Sequence, residues 1–427
     1  MKMEKKKITF ETIATRIVIG IMVLFLLSIA AVFIAVQNGA DSLFQMDHDI
    51  ETKVYEIQQD DSFGSRVYKG YSNAVYAAKN TADAYSRDLL LGRTKMVEAA
   101  VRYKNLIGWK LYAPGEYNSI LYLDDGYLAN ANTKESEESI QKIATKIKSL
   151  KDCAEKAGAR FLYMQTPGNI DKYGDHGINN VKDFANANAD LLLKDLREYG
   201  IDCFDLRDNI HETFPDYHSI FYRTDHHWKH PIAVWAAGEL TSFLNTQYGD
   251  SFDPSLYESA RYRSEILPAW YLGSLGRRAT LAASEPDDFE IFYPEFPVNI
   301  TFQIEEKGIE KTGDFSCTID YEEINDPDIY HRECYLALLS FIGCGRARVV
   351  NNNPPNNTEI LIVGDSLAIP ETSLLALNCR QCELIDPRYF KESIKDYISE
   401  HKPDIVINTY STTIIQDYYS IFDFDAK

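Results

Sequence analysis

The sequence predicts an α/β domain, a parallel sheet flanked by helices with an inserted, partly β lobe. Short apolar runs alternate with helical stretches over 135–205 and again over 359–408, the trace that strand–helix–strand crossovers leave in a chain. The run 359–363, Glu-Ile-Leu-Ile-Val, is of the buried-strand type and ends at Gly364-Asp365-Ser366. Between these stretches, over about 250–350, the rhythm breaks into short runs such as Ile291-Phe292-Tyr293-Pro294 and Val298-Asn299-Ile300-Thr301-Phe302.

The elements follow in order. Residues 17–36 read IVIGIMVLFLLSIAAVFIAV without a charge, about the length a helix needs to cross a bilayer. Lys2, Lys5, Lys6, Lys7 and Arg16 precede the segment and Asp41, Asp47, Asp49 and Glu51 follow it. The positive-inside rule then places 1–12 in the cytoplasm, makes 13–37 a transmembrane anchor, and leaves the rest outside the cell membrane. A cleaved signal peptide is the alternative. Residues 38–105 read as a helical stalk, and 106–427 as the extracytoplasmic domain. The runs 109–112 and 120–123, separated by Pro114-Gly115 and ended by Asp125-Gly126, are hairpin material. Helices are expected over 135–157, closed by Gly158, then over 187–199, 229–247 and 391–401. Strands are expected over 160–165, 201–205, 359–363, 382–385 and 404–408. Asn351 to Asn357 is a turn-rich loop.

Composition narrows the function. The formal net charge of -20 over 427 residues repels phosphate backbones and argues against a nucleic-acid partner. The 28 tyrosines suit stacking on sugar rings, though tyrosine is also ordinary core material. Seven cysteines are too sparse for a disulfide scaffold. Cys379-x-x-Cys382 has no second pair at metal spacing and reads as chance or a single disulfide rather than a zinc site.

Two stretches carry chemistry. Ser366 follows directly on a strand and so emerges at the carboxyl edge of the sheet, where ligands of such sheets bind. Thr224-Asp225-His226-His227-Trp228 opens a helix after a loop. A serine hydroxyl needs an imidazole to take its proton and a carboxylate to hold that imidazole in the right tautomer. Asp225 and His227, two residues apart, point the same way on a turn or extended segment, so both can reach one serine. The backbone N–H of Ser366 or Leu367 is the natural first oxyanion donor. Blander readings stay open: Gly-Asp-Ser is common turn chemistry, Asp225 with His226 and His227 has the composition of a metal site, and Trp228 has the character of a core residue as much as of a substrate platform. His226 and His227 lack the spacing that sets two metal ligands on one helical face. No metal and no cofactor are expected.

The run Asp225-His226-His227-Trp228 resembles the motif that names the DHHW family, which is similar to the AlgX/AlgJ-type SGNH hydrolase-like acetyltransferases of polysaccharide O-acetylation. Tyr271-Leu272-Gly273-Ser274-Leu275-Gly276-Arg277, Val363-Gly364-Asp365-Ser366, Ile385-Asp386-Pro387-Arg388-Tyr389 and Lys402-Pro403-Asp404-Ile405-Val406 resemble further blocks of that family, and coverage runs from about residue 100 to the end. The resemblance implies a circularly permuted SGNH-hydrolase-like domain with Ser366 as nucleophile, His227 as general base and Asp225 as its orienting carboxylate. Leu367, Arg388, Tyr389 and Trp228 are the candidates for oxyanion or substrate binding, with a structural ion pair as the alternative for Arg388. It implies acyl transfer, usually of acetyl, onto an exported or cell-wall polysaccharide, with a multi-pass membrane O-acyltransferase supplying the acyl group. A carbohydrate esterase with the same triad and a non-catalytic polymer-export scaffold are the alternatives. No Gly-x-Asn-Asp block follows Asp404, so the second oxyanion donor has no assignment, and Asn169 stands where the family's lysine is expected.

Overall fold

The computed structural model describes residues 93–109, 111–112, 119–123, 125–174, 183–416 and 420–425. The expected anchor over 13–37, and the stalk before residue 93, lie outside these residues. No helix among the described residues is long and apolar enough to cross a membrane.

After helix α1 (Arg93–Leu106), strands β1 (Leu111–Tyr112), β2 (Ser119–Tyr122) and β3 (Leu128–Ala131) form a small antiparallel sheet. Leu111 faces Leu121 and Tyr112 faces Ile120, the hairpin expected there, extended by one strand. The α/β rhythm follows: α2 (Glu137–Ala157), β4 (Arg160–Thr166), α3 (Ala185–Glu198), β5 (Cys203–Asp205), α4 (Leu206–Thr213) and α5 (His230–Tyr248). Helix α2 shows why the pattern was readable. Ser136 caps its first turn by accepting from the Ser139 N–H, Ile140, Ile143, Ile147, Leu150 and Ala154 are its buried stripe, and Gly158 closes it. Burying each such Ile or Leu is worth roughly 1.5–3 kcal/mol.

The middle of the chain gives β6 (Tyr262–Tyr271), α6 (Ser274–Ala279), β7 (Asp287–Pro294), β8 (Ile300–Ile304), β9 (Ile309–Gly313), α7 (Tyr321–Ile324), α8 (Cys334–Ala337) and β10 (Arg346–Asn351). The chain ends with β11 (Glu359–Gly364), α9 (Ala368–Leu375), β12 (Gln381–Ile385), α10 (Ile394–His401) and β13 (Ile405–Ser411).

The main sheet has the order β5-β4-β13-β11-β12-β10-β8-β9. The first five strands are parallel, and β10, β8 and β9 add antiparallel to them. The sheet is therefore mixed, not wholly parallel. The middle region is correspondingly not one separate lobe: three of its strands extend the sheet past β12, and only β6 and β7 pair as a ribbon of their own. Along each central strand the side chains alternate between two cores. Leu162 and Met164, Ile360 and Ile362, and Ile405 and Ile407 face one with α5 and α9. Phe161 and Tyr163, Leu361 and Val363, and Val406 face the other with α2, α3 and α10. Burial on both faces is why these strands read as unbroken apolar runs. Cys379 and Cys382 are buried free thiols.

Candidate active site

Ser366 sits two residues past the end of β11, a central strand. Gly364 lets the turn form: a Cβ there would lie 2.6 Å from the Thr409 carbonyl of β13. Asp365 ties the turn down by accepting from the N–H groups of Leu367 (3.0 Å) and Ser411 (2.7 Å).

The Asp-His pair arrives from the far side. Phe221 and Trp228 form an isolated antiparallel bridge, and the His227 carbonyl accepts from the Tyr222 N–H at 3.2 Å. Residues 224–227 thus make the tip of a tight loop between α4 and α5. The loop brings His227 Nε2 to 2.7 Å from Ser366 Oγ, while His227 Nδ1 lies 3.2 Å from Asp225 Oδ2. The three side chains expected to meet from distant stretches of chain are in contact.

Asp225 is fully buried and richly supplied with donors. Its Oδ1 accepts from the His226 N–H (2.7 Å) and the Ser274 hydroxyl (2.9 Å), and Oδ2 accepts from the Tyr271 hydroxyl. Burial alone would raise its carboxyl, but the adjoining His227 and His226 imidazoles and their hydrogen bonds bring it well below the usual carboxylate range. His227 goes the other way. Burial, reinforced by the neighbouring His226, pushes its imidazole down to about 4 against the pull of Asp225. At neutral pH the pair is a carboxylate beside a neutral imidazole, the protonation state a general base needs.

The block 271–277 holds this arrangement. A Cβ on Gly273 would fall 2.3 Å from the Asp225 Cβ, so only glycine lets the strand end pass so close. The Gly273 N–H donates to Thr224 Oγ1 (2.8 Å) and the Gly276 N–H to the Thr224 carbonyl (2.8 Å). Asp287, at the start of β7, accepts from the N–H groups of Arg223 and Thr224 and from the Thr224 hydroxyl. From a different segment, the Asn169 amide donates to the Asp225 carbonyl at 2.8 Å. Tyr335 stacks on the His227 ring.

The remaining candidates separate. The Leu367 N–H is engaged by Asp365, which corrects its assignment as an oxyanion donor; the Ser366 N–H makes no hydrogen bond among the described residues and is open for that role. Trp228 is fully buried in the core and offers no surface to a substrate. Arg388 forms a bidentate ion pair with Asp386, at 3.0 and 2.6 Å. Even so, its charge adds to the lowering of the His227 imidazole and partly offsets the rise that burial imposes on the Asp365 carboxyl. Tyr389 is half exposed. Asp225, His226 and His227 are also the one cluster among the described residues with ligand atoms close enough for a metal, all within 4.8 Å. Both Asp225 oxygens already accept hydrogen bonds and His227 Nε2 faces Ser366, so a cation would have to displace those contacts.

Tyr271, Ser274 and Tyr335 escape a reading of the sequence for roles. The first two sit inside a block quoted only for its resemblance. Tyr335 is one tyrosine among many, and nothing around it marks a site.

A serine after a central strand, an Asp-x-His loop docking onto it and a mixed sheet between two helical layers give the chain an SGNH hydrolase-like α/β fold. Residues 120–286 match the family model of the SGNH hydrolase-like domain of acetyltransferase AlgX; the match contains Asp225, His227 and the 271–277 block and ends before Ser366. Among solved structures, Bacillus cereus PatB1 with a sulfonyl adduct superposes with a TM-score of 0.58 at 18% identity, covering 72% of this chain and 98% of that one. A DHHW family protein from Eubacterium siraeum superposes with a TM-score of 0.55 at 15% identity, covering 74% and 98%. At these identities the likeness is one of fold. No curated protein matches the chain.

Proposed function

We propose that this chain is an extracytoplasmic O-acyltransferase, acetyl being the expected acyl group, that acylates hydroxyls of a cell-surface or exported polysaccharide through an acyl-enzyme on Ser366. The observation that carries the reading is the 2.7 Å contact between His227 Nε2 and Ser366 Oγ, backed by a buried carboxylate on the other ring nitrogen. In the first half-reaction His227 takes the Ser366 proton as Oγ bonds to the acyl carbonyl carbon. The oxyanion that forms meets the Ser366 N–H and the positive field of Arg388. Collapse breaks the bond to the donor oxygen, which leaves with the proton that His227 holds. In the second half-reaction a sugar hydroxyl gives its proton to His227 and bonds to the acyl carbon, and the bond to Ser366 Oγ breaks as His227 returns the proton to it. Asp225 stabilises the imidazolium in both halves.

The family match over 120–286 supports acyl transfer as the reaction class. The sulfonyl adduct on PatB1 suggests that a sulfonyl fluoride will modify Ser366 here. The apolar segment 17–36 and its flanking charges support a membrane anchor, and the acyl donor is then a multi-pass membrane O-acyltransferase at the same surface. Ser366 is partly exposed, so water also reaches the acyl-enzyme, which favours esterase activity as a second reading when no acceptor is present.

The test is turnover of a chromogenic acetyl ester by the full chain and by Ser366→Ala. A loss of about 1,000-fold or more is expected; equal rates remove the enzyme. Adding an oligosaccharide acceptor then divides the readings, since a transferase moves acetyl from water to sugar and an esterase does not.

A further inference from the structure

The β6–β7 ribbon ends at the catalytic loop on one side and at a cleft on the other. At the near end Tyr271 pairs with Asp287, and these are the residues that hold Asp225 and Thr224. At the far end Arg263 pairs with Tyr293, and both line a cleft of about 310 Å³. Asp287 and Tyr293 are six residue steps apart along β7, a distance on the order of 20 Å. The cleft is thus outside the reaction centre but on the same β-ribbon.

Its walls have the chemistry that recognises a sugar. Tyr321 exposes 41% of its surface there, and its hydroxyl lies 3.0 Å from that of Tyr293, which orients both rings. The Arg263 guanidinium lies over the Tyr293 ring at 4.6 Å and reaches Glu265 at 3.5 Å. Arg263 and Glu265 keep about half of their side-chain surfaces, 55% and 46%, in solvent, so they have donors and acceptors left for hydroxyl groups. A part-exposed tyrosine beside charged donors and acceptors suits a ring that is apolar on its face and polar at its rim. The charge of the lining selects further. Glu265 and Asp314 oppose one guanidinium, Arg263, on a chain whose net charge is -20. An anionic sugar is repelled from such a site; a neutral or amino sugar is not.

We propose that the cleft between β6–β7 and the 314–321 segment is a remote subsite for a neutral or amino-bearing sugar unit of the polymer whose hydroxyls reach Ser366. This rests on the polysaccharide reading above and narrows it: the acceptor is not a polyuronate.

The test is calorimetric binding to the purified full chain, for wild type, Tyr321→Ala and Glu265→Gln, with three hexasaccharide probes: N-acetylglucosamine, glucosamine and mannuronate oligomers. Wild type is expected to bind one or both of the first two, and the mannuronate hexamer at least tenfold more weakly. Tyr321→Ala should weaken the binding about fivefold, the scale of one aromatic contact, and Glu265→Gln should weaken the glucosamine hexamer more than the N-acetylated one. Both variants should turn over the small chromogenic ester at the wild-type rate, since neither touches Ser366. Wild type binding neither of the first two hexamers, undiminished binding by Tyr321→Ala, or mannuronate bound as tightly as the others would each overturn the subsite. Loss of ester turnover in wild type would instead count against the catalytic reading and leave the binding result standing by itself.

Discussion

Tyr335 lies face to face on the His227 imidazole, ring centroids 3.9 Å apart and planes 14° from parallel. The His226 ring adjoins it as well, tilted 36° with centroids 3.9 Å apart. The His227 imidazole is therefore packed against two rings, and its orientation toward Ser366 depends on that packing as well as on the Asp225 contact. Tyr335 is fully buried and contributes no group that reaches a substrate, so it acts by positioning. Tyr335→Phe keeps the ring and should leave kcat within a few-fold of wild type. Tyr335→Leu keeps much of the volume but not the flat face, and freedom of the imidazole should lower kcat by up to about 100-fold, the scale of a misplaced catalytic group. Steady-state kinetics on the chromogenic ester separate the cases, and equal kcat for Phe and Leu would show that stacking does not matter.

Burial and the neighbouring His226 depress the His227 imidazole to about 4, which fixes the pH profile. The base works only when neutral. As pH rises through about 4 the imidazole loses its proton and activity should climb, then stay level to neutrality. A free imidazole would place that limb near 6.5. The profile of kcat/KM against pH in the full chain, measured where the fold is intact by fluorescence, gives the limb directly. An acid limb near 6.5 would mean that the imidazole is more solvated than its burial indicates.

Much of the fold was legible because the central strands are buried on both faces. Glu359 to Gly364 carries an apolar residue at every interior position, and Ser366 follows two residues beyond its end. Asp225 and His227 were legible because a base and its carboxylate can sit two residues apart on one turn. Strand β10 was not, for a physical reason. Arg346 and Arg348 lie on one of its faces and pair with Glu383 at 3.7 and 3.1 Å, so half of the strand looks like surface although it sits inside the sheet. The mixed order of the sheet was hidden with it. Leu367 was misread because Asp365, which captures its N–H, reads in sequence as a mere turn residue. Trp228 lies deep because its bridge to Phe221 turns it inward, and an adjacent histidine in the site gives no hint of that.

Gly273 is where the fold and the chemistry meet. Its Cα passes so close to Asp225 that a methyl group would lie 2.3 Å from the Asp225 Cβ and 2.7 Å from Oδ2. Gly273→Ala must push the carboxylate, the strand end or both. Overpacking of this kind costs about 1–3 kcal/mol, and any movement of Asp225 loosens the tautomer control of His227. Denaturant unfolding should show that loss of stability, and ester turnover should fall by more than the folded fraction explains. Full activity with unchanged stability would mean that the loop relaxes freely, contrary to the four hydrogen bonds that tie residues 223 and 224 to Asp287 and Gly273.

The reading of the chain as surface-bound rests on its first residues. A helix of the twenty uncharged residues over 17–36 would be about 30 Å long at 1.5 Å per residue, the thickness of a bilayer's hydrocarbon core. Five basic side chains before it and four acidic ones after it predict an orientation with the N-terminus inside. Expressed in a bacterial host, the full chain should sediment with membranes and resist extraction by high salt and carbonate, yielding only to detergent. In intact spheroplasts, protease added outside should degrade the domain. Replacing residues 1–37 with a cleavable export signal should release the protein in soluble form with its ester turnover intact, because the residues that build the site all lie beyond residue 165. A full chain that salt alone strips from the membrane, or a domain that external protease cannot reach, would remove the anchor and with it the assignment of the acceptor to the cell surface.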